Sequence, residues 1–122
     1  MEPKIKNLLN QIATGQIKTN EAKILNFIIQ RNGGNLIDMR SLIPMQHQTL
    51  TSRISVLEDF GILYKSGTIN NGNHSVWSYE PDEQKQSENS MKRQRQMFNI
   101  WRKQGILKYD KFMNAEMIEF LK

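Results

Sequence analysis

The residues able to perform covalent or metal chemistry are few in this chain, and their spacing keeps them apart. Cysteine is absent, and the only two histidines, His47 and His74, are 27 positions apart. The acidic pairs Glu58-Asp59 and Asp82-Glu83 are adjacent in sequence, so on a regular element their carboxylates diverge. The sequence contains no glycine-rich phosphate loop and no HExxH pair. We therefore expect no enzyme, no bound metal and no cofactor.

Positive charge is concentrated in the last third of the sequence. The 122 residues contain 17 Lys or Arg and 12 Asp or Glu, which gives a net charge of +5. Residues 1–83 contain eight residues of each sign, whereas residues 84–122 contain nine basic and four acidic residues. Binding to phosphate depends on local rather than average positive charge. The C-terminal segment is therefore the part of the chain best suited to an anionic partner.

Hydropathy gives no sign of membrane insertion. No apolar run approaches the roughly 20 residues that a membrane-spanning helix needs, and the N-terminus lacks the apolar core of a signal peptide. Together with the absence of cysteine, this pattern favours a cytoplasmic protein.

The elements that must position the polar residues follow from apolar periodicity and from turn residues. Leu50, Ile54 and Leu57 share one helical face, and the Asn70–Asn73 turn can join two strands. These signals predict a mainly helical α+β fold. The predicted helices cover residues 3–13, 21–31, 38–42 (capped by Asp38) and 46–60, and the predicted strands cover 62–69 and 75–80.

The C-terminal part of the chain is predicted to be a separate helical extension. Residues 82–90 are polar and rich in turn formers, which indicates a linker between a domain over 1–81 and an extension over 91–122. A helix is expected from Ser90 to Gln104, and a last helix from Asp110 or Asn114 to about Leu121.

The first of these C-terminal helices is amphipathic, and its two faces suggest different partners. The apolar face could pack on a second subunit or on the body of the same chain, and we favour dimerisation or docking. The basic face could contact DNA phosphates, whereas a membrane surface is the least favoured partner. The basic residues are Lys92, Arg93, Arg95, Arg102 and Lys103, and the apolar ones that would meet a partner are Met97, Phe98 and Trp101.

One stretch also matches a known pattern. Thr49, Leu50, Ile54, Leu57, Glu58, Gly61, Ile62 and Leu63 fit the order Ser/Thr-hydrophobic, then hydrophobic, then Leu-acid-x-x-Gly-hydrophobic-hydrophobic. In this respect the chain resembles the winged helix-turn-helix superfamily of bacterial and phage transcriptional regulators. The resemblance covers about residues 19–81, with IDMRSLIP in place of the positioning helix and NEAKILNFI in place of the first core helix. The small size and the Asn/Lys/Ile-rich composition suit a phage-like product, in a bacterial cell or a phage-infected host.

The resemblance implies a function and a set of contacts. It implies a DNA-binding regulator of transcription, a homodimer on double-stranded DNA, whose second helix enters the major groove while the hairpin touches the flanking backbone. Gln can read adenine and Arg can read guanine. The residues it places on DNA are Gln46, His47, Gln48, Thr49, Thr51, Ser52 and Arg53 on the helix, and Lys65, Asn71, Asn73 and His74 on the wing.

Several plainer interpretations stand beside these. Arg53 could form a surface ion pair with Glu58 or Asp59, and His47 could be a solvent-facing turn residue. Trp77 is expected to pack in the core rather than to stack on bases. The same fold could also serve as a protein–protein adaptor, for example a phage protein that binds a host factor, or as a replication accessory protein.

Overall fold

The computed structural model describes residues 3–103, apart from the side chains of Trp101 and Lys103. These residues form a mainly helical α+β structure with a small antiparallel sheet. The expected last helix beyond Asp110 lies outside the described residues. In chain order the elements are α1 (Pro3–Thr14), α2 (Asn20–Arg31), β1 (Gly34–Asn35), α3 (Leu36–Leu42), α4 (His47–Asp59), β2 (Leu63–Ile69), β3 (His74–Tyr79) and α5 (Glu83–Lys103).

Helix boundaries follow the capping signals, with one correction. Thr19 caps α2, because its hydroxyl oxygen accepts a hydrogen bond from the backbone N–H of Ala22. The predicted cap of α3 was Asp38, but the cap is Asn35. The side-chain oxygen of Asn35 accepts from the backbone N–H of Asp38 at 2.9 Å, and its amide group donates to the Asp38 carboxylate at 3.0 Å. Asp38 thus lies in the first turn, where its negative charge interacts favourably with the positive end of the helix dipole.

The sheet contains a short strand that the sequence did not reveal. β1 pairs antiparallel with β3, and β3 pairs with β2, which gives the order β1-β3-β2. Gly34 lies in this strand, opposite Trp77. A two-residue strand leaves no alternating pattern in the sequence, so periodicity could not find it.

The hairpin forms where it was predicted. β2 and β3 are joined by a turn in which Asn70, Asn71 and Gly72 all have positive φ angles of 52°, 58° and 88°. Asparagine and glycine adopt this left-handed conformation at the lowest cost. The pairing register shifts between Lys65 and Gly67, so β2 carries a bulge at Ser66.

The core lies where the helices meet the sheet. The predicted inward face of α4 is confirmed, because Leu50, Ile54 and Leu57 are buried. Trp77 is also buried, as its core interpretation requires. Burial raises the pKa of the Tyr79 phenol above its usual value, and the neighbouring Glu80 carboxylate raises it further, so this phenol stays neutral. The buried hydrophobic residues come from α1, α2, α3, α4, β2 and β3, and also include Ile43 and Ile62.

The expected linker at residues 82–90 is wrong, because α5 already begins at Glu83. Asp82 starts the helix, since its Oδ1 accepts a hydrogen bond from the backbone N–H of Gln84 at 3.0 Å. Gln86, in the second turn, is buried. Polar residues that look like a linker therefore form the first turns of a docked helix. None of the helices in residues 3–103 has the length and apolar character needed to cross a membrane.

Candidate nucleic-acid interface

The N-terminal half of α4 presents polar side chains to solvent. Gln46, His47, Gln48 and Ser52 are exposed, while Thr49 and Thr51 are partly covered. The Gln46 side chain makes no capping hydrogen bond to the first turn. Hydroxyl and amide groups of this kind can donate to and accept from base edges and phosphates. Four of the seven residues of this helix that were assigned to DNA are therefore exposed.

The outward face of α4 extends one turn further than the sequence-predicted set. Gln48, Ser52, Ser55 and Asp59 follow i, i+4, i+7 and i+11 spacing and so lie on one side of the helix. We call these four residues the α4 outer face. Ser55 was not among the predicted site residues, although its spacing from Ser52 could have identified it. The Asp59 side chain, 63% exposed, ends this face with a negative charge.

Arg53 lies away from the α4 outer face. Its Nη1 atom is 3.4 Å from Oε1 of Glu21 on α2, and Nζ of Lys4 on α1 is 3.7 Å from the same oxygen. This side chain therefore does not point to the side of α4 expected to meet bases. It also does not form the alternative ion pair with Glu58 or Asp59. The reason is helical geometry, because Arg53 is one residue past Ser52 and is rotated about 100° from it, toward α2. Glu21 thus joins three helices, because its Oε1 pairs with Arg53 of α4 and with Lys4 of α1.

Thr51 uses its hydroxyl proton within the helix. Its Oγ1 donates to the backbone carbonyl of His47 at 3.1 Å, with the Gln48 carbonyl at 3.2 Å as a second acceptor. The oxygen lone pairs remain available to accept from a ligand.

The wing residues fall into two places. Asn71 and Asn73 are exposed at the tip of the hairpin, and His74 is partly covered at the start of β3. Lys65 is exposed near the base of the hairpin, beside the bulge and opposite Trp77. The structure therefore brings the asparagines together at the tip but leaves Lys65 several residues away from it.

Helix α5 packs against the C-terminal end of α4 through polar groups. The Asn89 amide donates to the carbonyl of Gly61 at 3.2 Å, and the Ser90 hydroxyl donates to the carbonyl of Asp59 at 2.6 Å. The Gln86 amide donates to the carbonyl of Glu80 at 2.7 Å. These groups, with Arg93, recur at helical spacing on one side of α5. The chain thus satisfies helix-end carbonyls, which would otherwise lack partners, with side chains from α5.

Arg93 forms ion pairs with α4 rather than pointing outward. Its Nε atom lies 3.3 Å from Oδ1 of Asp59, and its Nη1 atom lies 3.7 Å from Oε2 of Glu58. The Arg93 side chain is only 19% exposed and that of Glu58 only 10%. The last turn of α4 contains no basic residue, so Arg93 supplies the positive charge that a helix C-terminus favours. This residue was predicted to bind phosphate, but its guanidinium pairs with two carboxylates of α4 instead.

The other predicted residues of α5 are distributed around the helix. Lys92, Arg95 and Arg102 are exposed, and Lys103 belongs to the helix although its side chain is not described. Met97 and Phe98 are partly covered. The Trp101 side chain lies outside the described part, so its predicted contact with a partner stays a prediction.

The described residues contain no group of three or more His, Asp or Glu side chains placed to hold a metal ion. Comparisons with protein-family models, with curated proteins and with solved structures find no match to this chain.

Proposed function

We propose that the chain is a winged-helix protein that binds duplex DNA and regulates transcription. Helix α4 enters the major groove with its N-terminal half, and the hairpin tip at Asn71 and Asn73 lies against the neighbouring backbone. Two features of the fold support this assignment. α3 and α4 are followed directly by the β2–β3 hairpin, and β1 adds a third strand to that hairpin, an arrangement that suits a helix pair with a wing.

The observation that carries the proposal is the exposure of the polar side chains at the start of α4. The described part of α5 packs on Asp59 and Gly61, at the other end of α4. Gln48 and Ser52 therefore remain open to a ligand. Of the polar side chains, Gln48 is the one best suited to base recognition, because its amide can bond an adenine edge at two points.

The positive charge for phosphate contacts comes from α5 in this proposal. Within residues 47–59, Arg53 is the only Lys or Arg, and it pairs with Glu21. The exposed side chains of Lys92, Arg95 and Arg102 are the closest match to the electrostatic requirement of a DNA backbone.

Selection of bound duplexes from a random pool tests the proposal. We expect an enriched sequence, and we expect Gln48→Ala to lose about 1–3 kcal/mol of discrimination at one base pair. Gln16→Ala, which removes an exposed amide between α1 and α2, is the matched control and should leave the preference unchanged. If the pool yields no enriched sequence and no duplex binds at low salt, the proposal is wrong.

A protein–protein adaptor is the second candidate, and the charge of the α4 outer face favours it. This face carries no cation of its own, and Asp59 at its end is paired with Arg93 of α5, so it suits a neutral protein surface as well as DNA. Capture of one defined partner from nuclease-treated host lysate, abolished by Gln48→Ala and Ser52→Ala but retained by Gln16→Ala, would favour this candidate over the first.

Dimerisation through α5 remains a prediction. Among the described side chains of this helix, the exposed large apolar ones are Met91 and Ile100, which are nine positions apart and so lie on opposite sides. The predicted interface consists of Met97, Phe98 and Trp101, of which Met97 and Phe98 are partly covered. The mass of the full chain in solution, measured by light scattering, distinguishes monomer from dimer.

A further inference from the structure

A groove lies between strand β2 and helix α5. Its volume is about 230 Å³. Two elements that are distant in the sequence supply its two sides, so no local pattern could have indicated it. We call it the β2–α5 groove, and its lining includes Glu58, Tyr64, Lys65, Asn89, Lys92 and Arg93.

The charges of this groove are only partly balanced. Arg93 lies 3.7 Å from Glu58, so these two charges largely offset each other. Lys65 on β2 and Lys92 on α5 are exposed, and neither has an ion-pair partner among residues 3–103. The groove therefore presents one uncompensated ammonium group from each side. Two positive charges that face a shared space favour an anion there.

We propose that the β2–α5 groove holds phosphate groups of the nucleic-acid backbone, with Lys65 and Lys92 as the two binding cations. This inference rests on the proposed DNA-binding function and specifies a second contact beyond α4 and the hairpin tip. Arg93 does not bind phosphate in this scheme. By pairing with Glu58 and Asp59, it offsets one of their two negative charges and so lowers the repulsion of a phosphate at the groove.

Two observations favour a nucleic-acid strand over an acidic peptide. The strand that carries Lys65 leads directly to the hairpin tip, so a backbone lying against Asn71 can continue along β2 toward α5. The groove also offers little in the way of apolar pockets, since six of its eight lining residues are charged or carry an amide, and Leu63 is 1% exposed. Peptide recognition usually adds such pockets for side chains, whereas phosphate binding needs only donors and charge.

The salt dependence of duplex binding tests this proposal directly. Each neutralised phosphate contributes about 0.9 to the slope of log K against log salt concentration. The double variant Lys65→Gln with Lys92→Gln should therefore lower the magnitude of the slope by about 1.8. Lys85→Gln is the matched control, because Lys85 lies two turns before Lys92 on nearly the same side of α5 but does not line the groove. This control should leave the slope unchanged.

The outcomes separate this inference from the function on which it rests. If the wild type binds duplex and the double variant keeps its slope, the groove assignment is wrong while DNA binding stands. A loss of about 0.9 in the slope for Lys85→Gln, equal per charge to that of the double variant, would also overturn it, because the slope would then respond to net charge alone. If the double variant instead weakens binding of a short poly-glutamate peptide and leaves the duplex slope intact, the groove serves an acidic protein. Loss of all duplex binding in the wild type overturns both proposals.

Discussion

The two halves of α4 have opposite environments. The N-terminal half exposes amide and hydroxyl groups, whereas the C-terminal half is held by hydrogen bonds and ion pairs from Ser90 and Arg93 of α5. The same helix is therefore held by α5 at one end and open to a ligand at the other. Rigid anchoring of one end holds the side chains of the other end in place, which lowers the conformational cost of binding.

The difference implies that changes at the two ends should have different consequences. Substitutions at the anchored end should lower the free energy of unfolding. Substitutions at the exposed end should leave stability unchanged and alter binding alone. Five variants, three of them with a control substitution, test this contrast.

The largest effect is expected at Gly61, which has a φ angle of +77°. A Cβ atom at this position would overlap the backbone carbonyl of Gln86 on α5. Gly61→Ala should therefore displace α5 and lower the free energy of unfolding by about 2–4 kcal/mol. Urea denaturation followed by circular dichroism measures this value.

Gly72→Ala is the control for backbone strain. Gly72 has a similar φ angle of +88°, but a Cβ there would meet no atom within 4 Å. We expect a cost of about 1 kcal/mol, from the left-handed conformation alone. Equal costs at the two glycines would show that the close contact with α5 is absent.

Arg93→Gln should have the next largest effect, because it leaves the buried carboxylate of Glu58 without its ion-pair partner. Breaking a fully buried pair costs about 3–5 kcal/mol, and partial exposure of Arg93 reduces this to about 2 kcal/mol. The neighbouring substitution Lys92→Gln removes the same charge from an exposed site and should cost less than about 0.5 kcal/mol. Chemical denaturation of both variants gives the comparison. If Arg93→Gln leaves the free energy of unfolding unchanged, the ion pairs of Arg93 do not stabilise the fold.

Ser90→Ala tests a single hydrogen bond at the anchored end. The Ser90 hydroxyl donates to the carbonyl of Asp59 at 2.6 Å, and its loss should cost about 1 kcal/mol. Ser87→Ala is a suitable reference because Ser87 is exposed on the same helix. A difference between the two that lies within error would mean that this bond contributes nothing to the docking of α5.

The smallest effect on stability is expected at the exposed end. Gln48→Ala and Ser52→Ala should each change the free energy of unfolding by less than about 0.5 kcal/mol, because neither side chain is buried. Their amide proton exchange in α4 should also match that of the wild type. A destabilisation of 1 kcal/mol or more, on the order of a lost hydrogen bond, would show that this end is part of the structural framework.

The sequence predicted the elements that have strong local signals. Apolar periodicity identified the inward face of α4, and the Asn70–Asn73 turn identified the hairpin. The features that the sequence did not predict share a physical cause. They are contacts between polar groups, or an element as short as the two-residue strand β1. α5 docks through Gln86, Asn89 and Ser90, and a polar docking face cannot be distinguished from a solvated one by hydropathy. The ion pairs of Arg53 with Glu21 and of Arg93 with Glu58 and Asp59 were missed for a related reason. An ion pair between distant elements leaves no pattern in the sequence.

The close approach of Gly61 to α5 has a consequence for variation of the molecule. The axis of α5 is set largely by main-chain contact at Gly61 and by short polar side chains, so the outward residues of α5 do not determine where the helix lies. Lys92 and Arg102 can then be exchanged without changing the position of α5. Libraries restricted to these positions should yield folded proteins with altered ligand preference at a high rate, whereas libraries that include position 61 should mostly yield unstable ones.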